Sequence, residues 1–371
     1  MNKVKLSKYI SEYSAKNKNN YPYPVYSVTN SNGFCTEYFT KDVSSKDKEN
    51  YKLVPFGYFA YNPSRINVGS IDCQENEKVV IVSPLYIVFR CADGFDKHYL
   101  KYFFKSRYGM NLINSSVSGS VRFNLKFKTL GEFQITERTL EEQKQAVDLF
   151  NKINDLISYN NKQLNLLDEL IKSRFNELFM HKNYPKVRLD QVSLSKGEYG
   201  AGSASTEYDN SRPRYVRITD INDDGTLNDD CVCSKVLSDD KEYKLSYGDF
   251  LFARMGATVG KTYAFLSGNQ IYAGYLIRYK LDLNKINPHF LFWYTRQNEY
   301  WDWVKLKQSG AAQPGINAKK YDSLEIPLAP IKEQNAFASF VAEVDKLKFN
   351  VQKRIEYYQE LLNKKMDEYF N

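Results

Sequence analysis

Residues 133–143, Phe-Gln-Ile-Thr-Glu-Arg-Thr-Leu-Glu-Glu-Gln, return 191 positions later as residues 324–334, Leu-Glu-Ile-Pro-Leu-Ala-Pro-Ile-Lys-Glu-Gln. Both copies read as a short strand followed by a helix opening, with Ile135 answering Ile326 and Glu142-Gln143 answering Glu333-Gln334. The same offset relates Gly57-Tyr-Phe59 to Gly248-Asp-Phe250, Val68-Gly69 to Val259-Gly260 and Ser118-Gly119 to Ser309-Gly310. Beyond the helix openings, Glu177 and Phe179 match Glu368 and Phe370, and no gap is needed from Gly57 to Phe179. Solenoid repeats run at about 20 to 50 residues, so a period this long is the duplication of a whole module. Such a chain can imitate a two-fold dimer while its halves diverge.

The segments downstream of the two helix openings set the architecture. Residues 139–180 and 330–371 contain no Gly and no internal Pro. Apolar residues recur at three- and four-residue steps: Phe150, Ile153, Ile157, Leu164, Leu167, Ile171 and Leu178 in the first copy. The second gives Val341, Val344, Val351, Ile355, Tyr358, Leu362 and Tyr369. Such a stripe is the mark of helices packed as a coiled coil. At about 1.5 Å per residue each helix would run on the order of 60 Å. Neither can bury its stripe alone, so the two are expected to pack antiparallel about a pseudo-two-fold. Asn160, on the stripe, is either a register-fixing polar residue or a solvated end.

The remaining segments read as mixed α/β. Val79-Val-Ile-Val82, Tyr86-Ile-Val-Phe89 and Tyr275-Leu-Ile-Arg-Tyr279 have strand composition, and helices are expected over 98–110 and 288–307. The fold class is therefore α+β, with two mixed modules alternating with two long helices. The boundaries fall at 1–137, 138–180, 181–328 and 329–371.

Composition narrows the function. The chain has 371 residues and a net charge of +8, with no apolar run of about 18 residues to span a membrane and no signal-peptide core after Met1. The excess charge sits in the two mixed modules, above all the first: residues 1–137 hold 19 Lys and Arg against 12 Asp and Glu, and residues 181–328 hold 20 against 18. The two helical segments are near neutral. That distribution suits a polyanion partner. The five cysteines, Cys35, Cys73, Cys91, Cys231 and Cys233, form no zinc spacing and are expected as reduced, buried thiols in a cytoplasmic protein.

Enzymatic motifs fail on spacing. Gly256-Ala-Thr-Val-Gly-Lys-Thr262 has three residues between its glycines where a phosphate loop needs four, and its repeat partner, residues 65–70, lacks the first Gly and the Lys. Asn62-Pro63 and Asn287-Pro288 lack the second Pro of a base-flipping methyltransferase loop. Three scattered histidines, His98, His181 and His289, assemble no metal or acid–base site. Asp220, Asp223, Asp224, Asp229 and Asp230 read as a solvated acidic turn, with no copy in the first module. The chain is read as non-catalytic. A P-loop-like NTPase or nuclease, or a structural coiled-coil adaptor without DNA readout, are the alternatives.

The order module, helix, module, helix resembles the specificity subunit of type I restriction–modification systems. The residues that carry the resemblance are the duplicated Ser-Gly, the strands ending at Ile135 and Pro327, and the openings Thr139-Leu-Glu-Glu-Gln143 and Pro330-Ile-Lys-Glu-Gln334. The stretch Gly248-Asp-Phe-Leu-Phe-Ala-Arg254 followed by Val259-Gly260 is also characteristic of that family. The likeness covers essentially the whole chain. The first copy departs from it, with Thr136 where the second has Pro327 and with Pro55-Phe-Gly-Tyr-Phe-Ala-Tyr-Asn-Pro63 in place of the typical stretch. The resemblance implies two target-recognition domains reading the two blocks of a bipartite, asymmetric duplex DNA target. It further implies that the helices recruit two methyltransferase subunits, with restriction (translocase) subunits in the full assembly. No cofactor is expected in this chain. S-adenosylmethionine, ATP and Mg²⁺ would belong to its partners.

Base edges are read by hydrogen bonds, whereas phosphate contacts fix position. Around the duplicated Ser-Gly, Arg122, Asn124, Gln313 and Asn317 are the candidate base readers. Lys126, Lys128, Lys307, Lys319 and Lys320 are the candidate phosphate contacts, and Arg65, Arg254 and Lys261 on the other duplicated loop are further candidates.

Overall fold

The structure, a computed structural model, describes residues 2–30, 32–36, 47–116, 124–308 and 315–371. The chain forms two compact units, Met1–Gln163 with Val351–Asn371, and Leu164–Asn350.

In the first unit the elements run β1 (Lys3–Lys5), β2 (Ile10–Glu12), β3 (Ser27–Thr29), β4 (Gly33–Cys35), β5 (Lys52–Pro55), β6 (Phe59–Tyr61), β7 (Ile71–Cys73), β8 (Val79–Val82) and β9 (Ile87–Cys91). Helices α1 (Lys97–Lys105), α2 (Arg107–Ser115) and α3 (Phe127–Gly131) come next, then β10 (Gln134–Thr136) and the long α4 (Leu140–Phe175). The central sheet has the order β2-β9-β6-β7, antiparallel throughout. Its inner face carries Phe59 and Phe89, stacked at 5.1 Å, against Phe104 of α1. Phe103 of α1 closes on Phe370 at the far end of the chain, and Phe150 of α4 meets Tyr369 and Phe370 at 5.5 and 6.0 Å.

The second unit begins in α4 at Leu164, and a π-helical turn (Asn176–Met180) extends that helix. Its elements are β11 (Lys186–Arg188), β12 (Glu198–Tyr199), β13 (Ser205–Thr206), β14 (Arg214–Val216), β15 (Cys233–Ser234), α5 (Asp239–Glu242), β16 (Asp249–Ala253), β17 (Thr262–Ala264), β18 (Gln270–Tyr272) and β19 (Leu276–Lys280). Then come α6 (Pro288–Tyr294), α7 (Asn298–Lys307), α8 (Ala318–Asp322), β20 (Glu325–Pro327) and α9 (Ile331–Phe370). The central sheet is β12-β19-β16-β17, the counterpart of the first. Phe175 and Phe179 pack on Phe290 of α6 and on Phe337 of α9.

The Glu-Gln motif of the helix openings now has a physical reason. Gln334 is fully buried: its Oε1 accepts from the Asn287 N–H at 2.8 Å, and its amide donates to the carbonyls of Ala329 (2.7 Å) and Lys285 (3.1 Å). Gln143 does the same in the first unit, accepting from the Asp96 N–H (2.8 Å) and donating to the Arg138 carbonyl (3.0 Å). Asp96 and Asn287 are the N-caps of α1 and α6. One side chain thus ties the start of the long helix to the helix that covers the sheet, and satisfies backbone groups that burial would leave unpaired.

Three expectations need correction. Phe59 faces Phe89 across the first sheet, while Phe250 faces Tyr279 across the second, spacings of 30 and 29 residues. The repeat therefore slips by one residue at this strand and recovers by the Asp96/Asn287 caps, so it is not gapless. Each helix expected over 98–110 and 288–307 is broken in two. Ser106 turns extended (ψ 155°) and caps α2 through the Gly109 N–H, and Gln297 is likewise extended (ψ 153°). A Cβ on Gly109 would lie 2.0 Å from the Phe103 carbonyl oxygen, which makes glycine the residue for that junction. Among the thiols, all free, only Cys73 and Cys233 are buried.

The units diverge away from the central sheet. β8 and β18 share the 191 offset, yet β8 pairs antiparallel with β5 and β18 pairs parallel with β14.

Candidate nucleic-acid interface

The duplicated loops after β6 and β16 meet the segments that precede α3 and α8 through one shared backbone bond. In the second unit the Ile316 N–H donates to the Arg254 carbonyl at 2.9 Å; in the first the Leu125 N–H donates to the Pro63 carbonyl at 3.1 Å. Both donors and both acceptors obey the 191 offset. The frame is constant and the side chains on it differ.

On the second unit this frame presents Asn317, Lys319 and Lys320. Asn317 is exposed but partly committed, because its Oδ1 caps α8 by accepting from the Lys320 N–H at 3.0 Å. Its amide nitrogen keeps two donors. Lys319 is exposed, whereas Lys320 reaches back to the Lys307 carbonyl (2.9 Å) and so braces the end of α7. Lys307 is half-buried. Arg254 lies on the other side of the frame with its guanidinium over the ring of Tyr199 (4.7 Å) and near that of Tyr275 (6.0 Å). Neither tyrosine was legible as a site residue. Their exposure, 43 % and 55 %, and their convergence on Arg254 come from strand β12 and the start of β19, and no local motif marks them.

Lys261 is placed differently from its expectation. Its ammonium makes an ion pair with Asp223 (2.7 Å) and donates to the Ile221 carbonyl (3.2 Å), holding the acidic loop against the sheet. The turn 256–262 is closed by the fully buried Tyr300, whose hydroxyl donates to the Gly260 carbonyl at 2.7 Å, so its backbone is engaged in packing. Nor is the acidic turn uniformly solvated. Asp220 is fully buried and accepts from the backbone and guanidinium of Arg217. Arg278 is a second internal cation: it pairs with Glu198 and lies 3.7 Å from Asp249. Burial opposes charge on Glu198, but Arg278 outweighs it and keeps the carboxyl below its ordinary range. At Asp249 burial prevails and the pKa rises.

On the first unit Asn124, Lys126 and Lys128 are exposed, with Lys126 at the start of α3 and Leu125 buried between its exposed neighbours. The buried Tyr61 hydroxyl donates to the Leu125 carbonyl at 3.1 Å and fixes this segment to the sheet. Arg65 is exposed on the turn after β6. Arg122 and Gln313, with both Ser-Gly pairs, lie outside the described residues.

Among the described residues no cluster of three His, Cys, Asp or Glu side chains could hold a metal ion, and no helix is long and apolar enough to cross a membrane.

Residues 182–357 match the family described as the type I restriction modification DNA specificity domain. A protein of Methanocaldococcus jannaschii named as the MjaX specificity subunit of a type I restriction enzyme is 22 % identical over 354 residues, covering 83 % of this chain and 76 % of the relative. A solved chain from work on complex assembly and conformational transition of the type I R-M system shares the fold. Its TM-score is 0.65 at 15 % identity, over 99 % of this chain and 96 % of that one. Residues 182–357 thus carry the type I restriction modification DNA specificity domain, and over most of its length the chain is similar to a type I restriction enzyme specificity subunit.

Proposed function

We propose that the chain reads a bipartite, asymmetric duplex target, one block with each unit, and itself catalyses nothing. The observation that carries this reading is the repeated backbone bond, Leu125 to Pro63 and Ile316 to Arg254, which holds equivalent loops in both units while the residues on them differ. A fixed frame with divergent side chains is what two related readers of different bases require. Asn124 and Asn317, with Arg122 and Gln313, are assigned to base edges. Lys126, Lys128, Lys307, Lys319 and Lys320 are assigned to phosphates, and Arg65 and Arg254 stand on the adjoining loop as further DNA contacts. Lys261 is better assigned to the internal ion pair with Asp223.

The target-recognition domains are taken as 1–137 and 181–328, and α4 and α9 as an antiparallel coiled coil that sets the gap between the blocks. Support comes from the pairing of Phe150 with Tyr369 in one unit and of Phe175 with Phe337 in the other. The helices also carry a second, exposed apolar set at the repeat offset: Leu156 answers Leu347, and Leu166 answers Tyr357. Two equivalent patches suit two copies of one partner, which we take to be methyltransferase subunits, with restriction subunits joining in a full assembly and the whole acting on cytoplasmic DNA. The test is footprinting of the chain with its cognate methyltransferase on target-bearing duplex. Two protected blocks around an unprotected gap, with salt-dependent affinity, are expected. Salt-independent binding to protein alone would make the chain an adaptor.

A further inference from the structure

The second unit holds a half-buried cation that its own carboxylates leave alone. Arg188, Arg212, Arg217 and Arg278 each reach an Asp or Glu oxygen. Arg254 has no carboxylate partner among the described residues, and its guanidinium donates to the Met255 sulfur at 3.5 Å, a weak acceptor. Yet Arg254 is closely held. Its N–H donates to the Tyr275 carbonyl at 3.0 Å and its carbonyl accepts from Ile316, so both backbone groups are engaged. Its guanidinium lies over the Tyr199 ring, and the Tyr199 hydroxyl in turn accepts from the Ala318 N–H at 3.2 Å, the first residue of α8. Three elements, β12, β16 with β19, and α8, thus converge to fix one side chain whose donors face no internal anion.

We propose that Arg254 is a base-reading side chain of the second unit and takes the paired O6 and N7 acceptors of a guanine in the major groove, with Tyr199 and Tyr275 as positioning residues. The inference rests on the DNA-recognition reading above and adds the residue and the base. A phosphate contact needs charge but little orientation, and exposed Lys319 on the same frame supplies it. A planar fork pre-oriented on an aromatic face matches two acceptors in one plane, which only guanine offers on the major-groove edge. The first unit has Pro63 at the equivalent position, so the contact belongs to one block of the target and has no twin in the other.

The experiment compares methylation maps from cells carrying the cognate methyltransferase with the wild-type chain, with Arg254→Lys, with Tyr199→Phe and with Tyr199→Leu. Arg254→Lys keeps the charge and loses the fork. It should relax one guanine position of one block by roughly 5- to 150-fold and leave the other block intact. Tyr199→Phe, which retains the ring, should keep that position. Tyr199→Leu should relax the same position, and this exposed site keeps the test available if Arg254→Lys fails to assemble. Unchanged blocks in Arg254→Lys, or a uniform loss of methylation with no position relaxed, would overturn the assignment, as would a second block without guanine on either strand. If the wild-type chain itself directs no split motif, the recognition reading fails instead, and the two failures are distinct.

Discussion

Replacing Gln334 by Leu removes one buried side chain and three hydrogen bonds, and the consequence can be sized. The Asn287 N–H loses its acceptor, and the carbonyls of Ala329 and Lys285 lose their donor. At about 1 kcal/mol net per bond the sum is ~3 kcal/mol, reduced toward ~2 kcal/mol where water reaches the carbonyl of exposed Lys285. The readout is favourable because Trp293, Trp301 and Trp303 are the three tryptophans of the chain, and all lie in the unit Leu164–Asn350. Urea unfolding followed by tryptophan fluorescence therefore reports that unit. With a slope of roughly 2 kcal/mol per molar, the midpoint should fall by about 1 to 1.5 M in Gln334→Leu. A shift below about 0.3 M would refute the view that the motif glutamine is a structural tie. Gln143, with two such bonds, should cost about 2 kcal/mol by circular dichroism of the same transition series.

Lys319→Glu should reduce the salt dependence of duplex binding by about one unit of slope, whereas Lys261→Ala should leave it unchanged because Lys261 is held by Asp223. Equal effects would contradict the separate placement of the two lysines. Leu347→Glu with Tyr357→Glu should halve the methyltransferase recovered per chain, the Leu156 and Leu166 patch being left intact, while shifting thermal unfolding little, since both side chains are exposed; unchanged stoichiometry would remove that face from the partner surface. His289 is kept below its ordinary pKa by burial, against a smaller opposing pull from Asp345. The unfolded chain therefore binds its proton more readily, so this residue adds no pH dependence above about 6.5 and destabilises the second unit as pH falls from there through the lowered value. The stability of His289→Gln relative to wild type should rise over that window, and a flat difference would contradict the assignment.

The long helices were legible because their period is local: a stripe at three- and four-residue steps repeats for ten turns, and neither Gly nor Pro interrupts it. The strands around Phe59 and Phe250 were legible through their motif, but the one-residue slip opposite Phe89 and Tyr279 was not, because sheet register is a long-range property. The breaks at Ser106 and Gln297 escaped for a related reason, since aromatic periodicity continues across them and only the cap geometry reveals the turn. On the second unit's loop frame, Asn317 and Lys319 stand exposed at the start of α8, beside the motif that singled them out. Sequence could not show that Lys320 and Lys261 are engaged by the protein, nor that Tyr199 and Tyr275 converge on Arg254 from separate strands. Partners brought together from distant parts of the chain leave no local signature.

The measurement that reaches the central claim is methylation mapping of the genome with the cognate methyltransferase present, with and without this chain. Two short specific blocks around a fixed non-specific gap should appear only with the chain, and exchanging residues 181–328 for those of a related subunit should alter one block alone. Methylation that is independent of the chain, with the methyltransferase shown to be active and bound to it, would contradict the account.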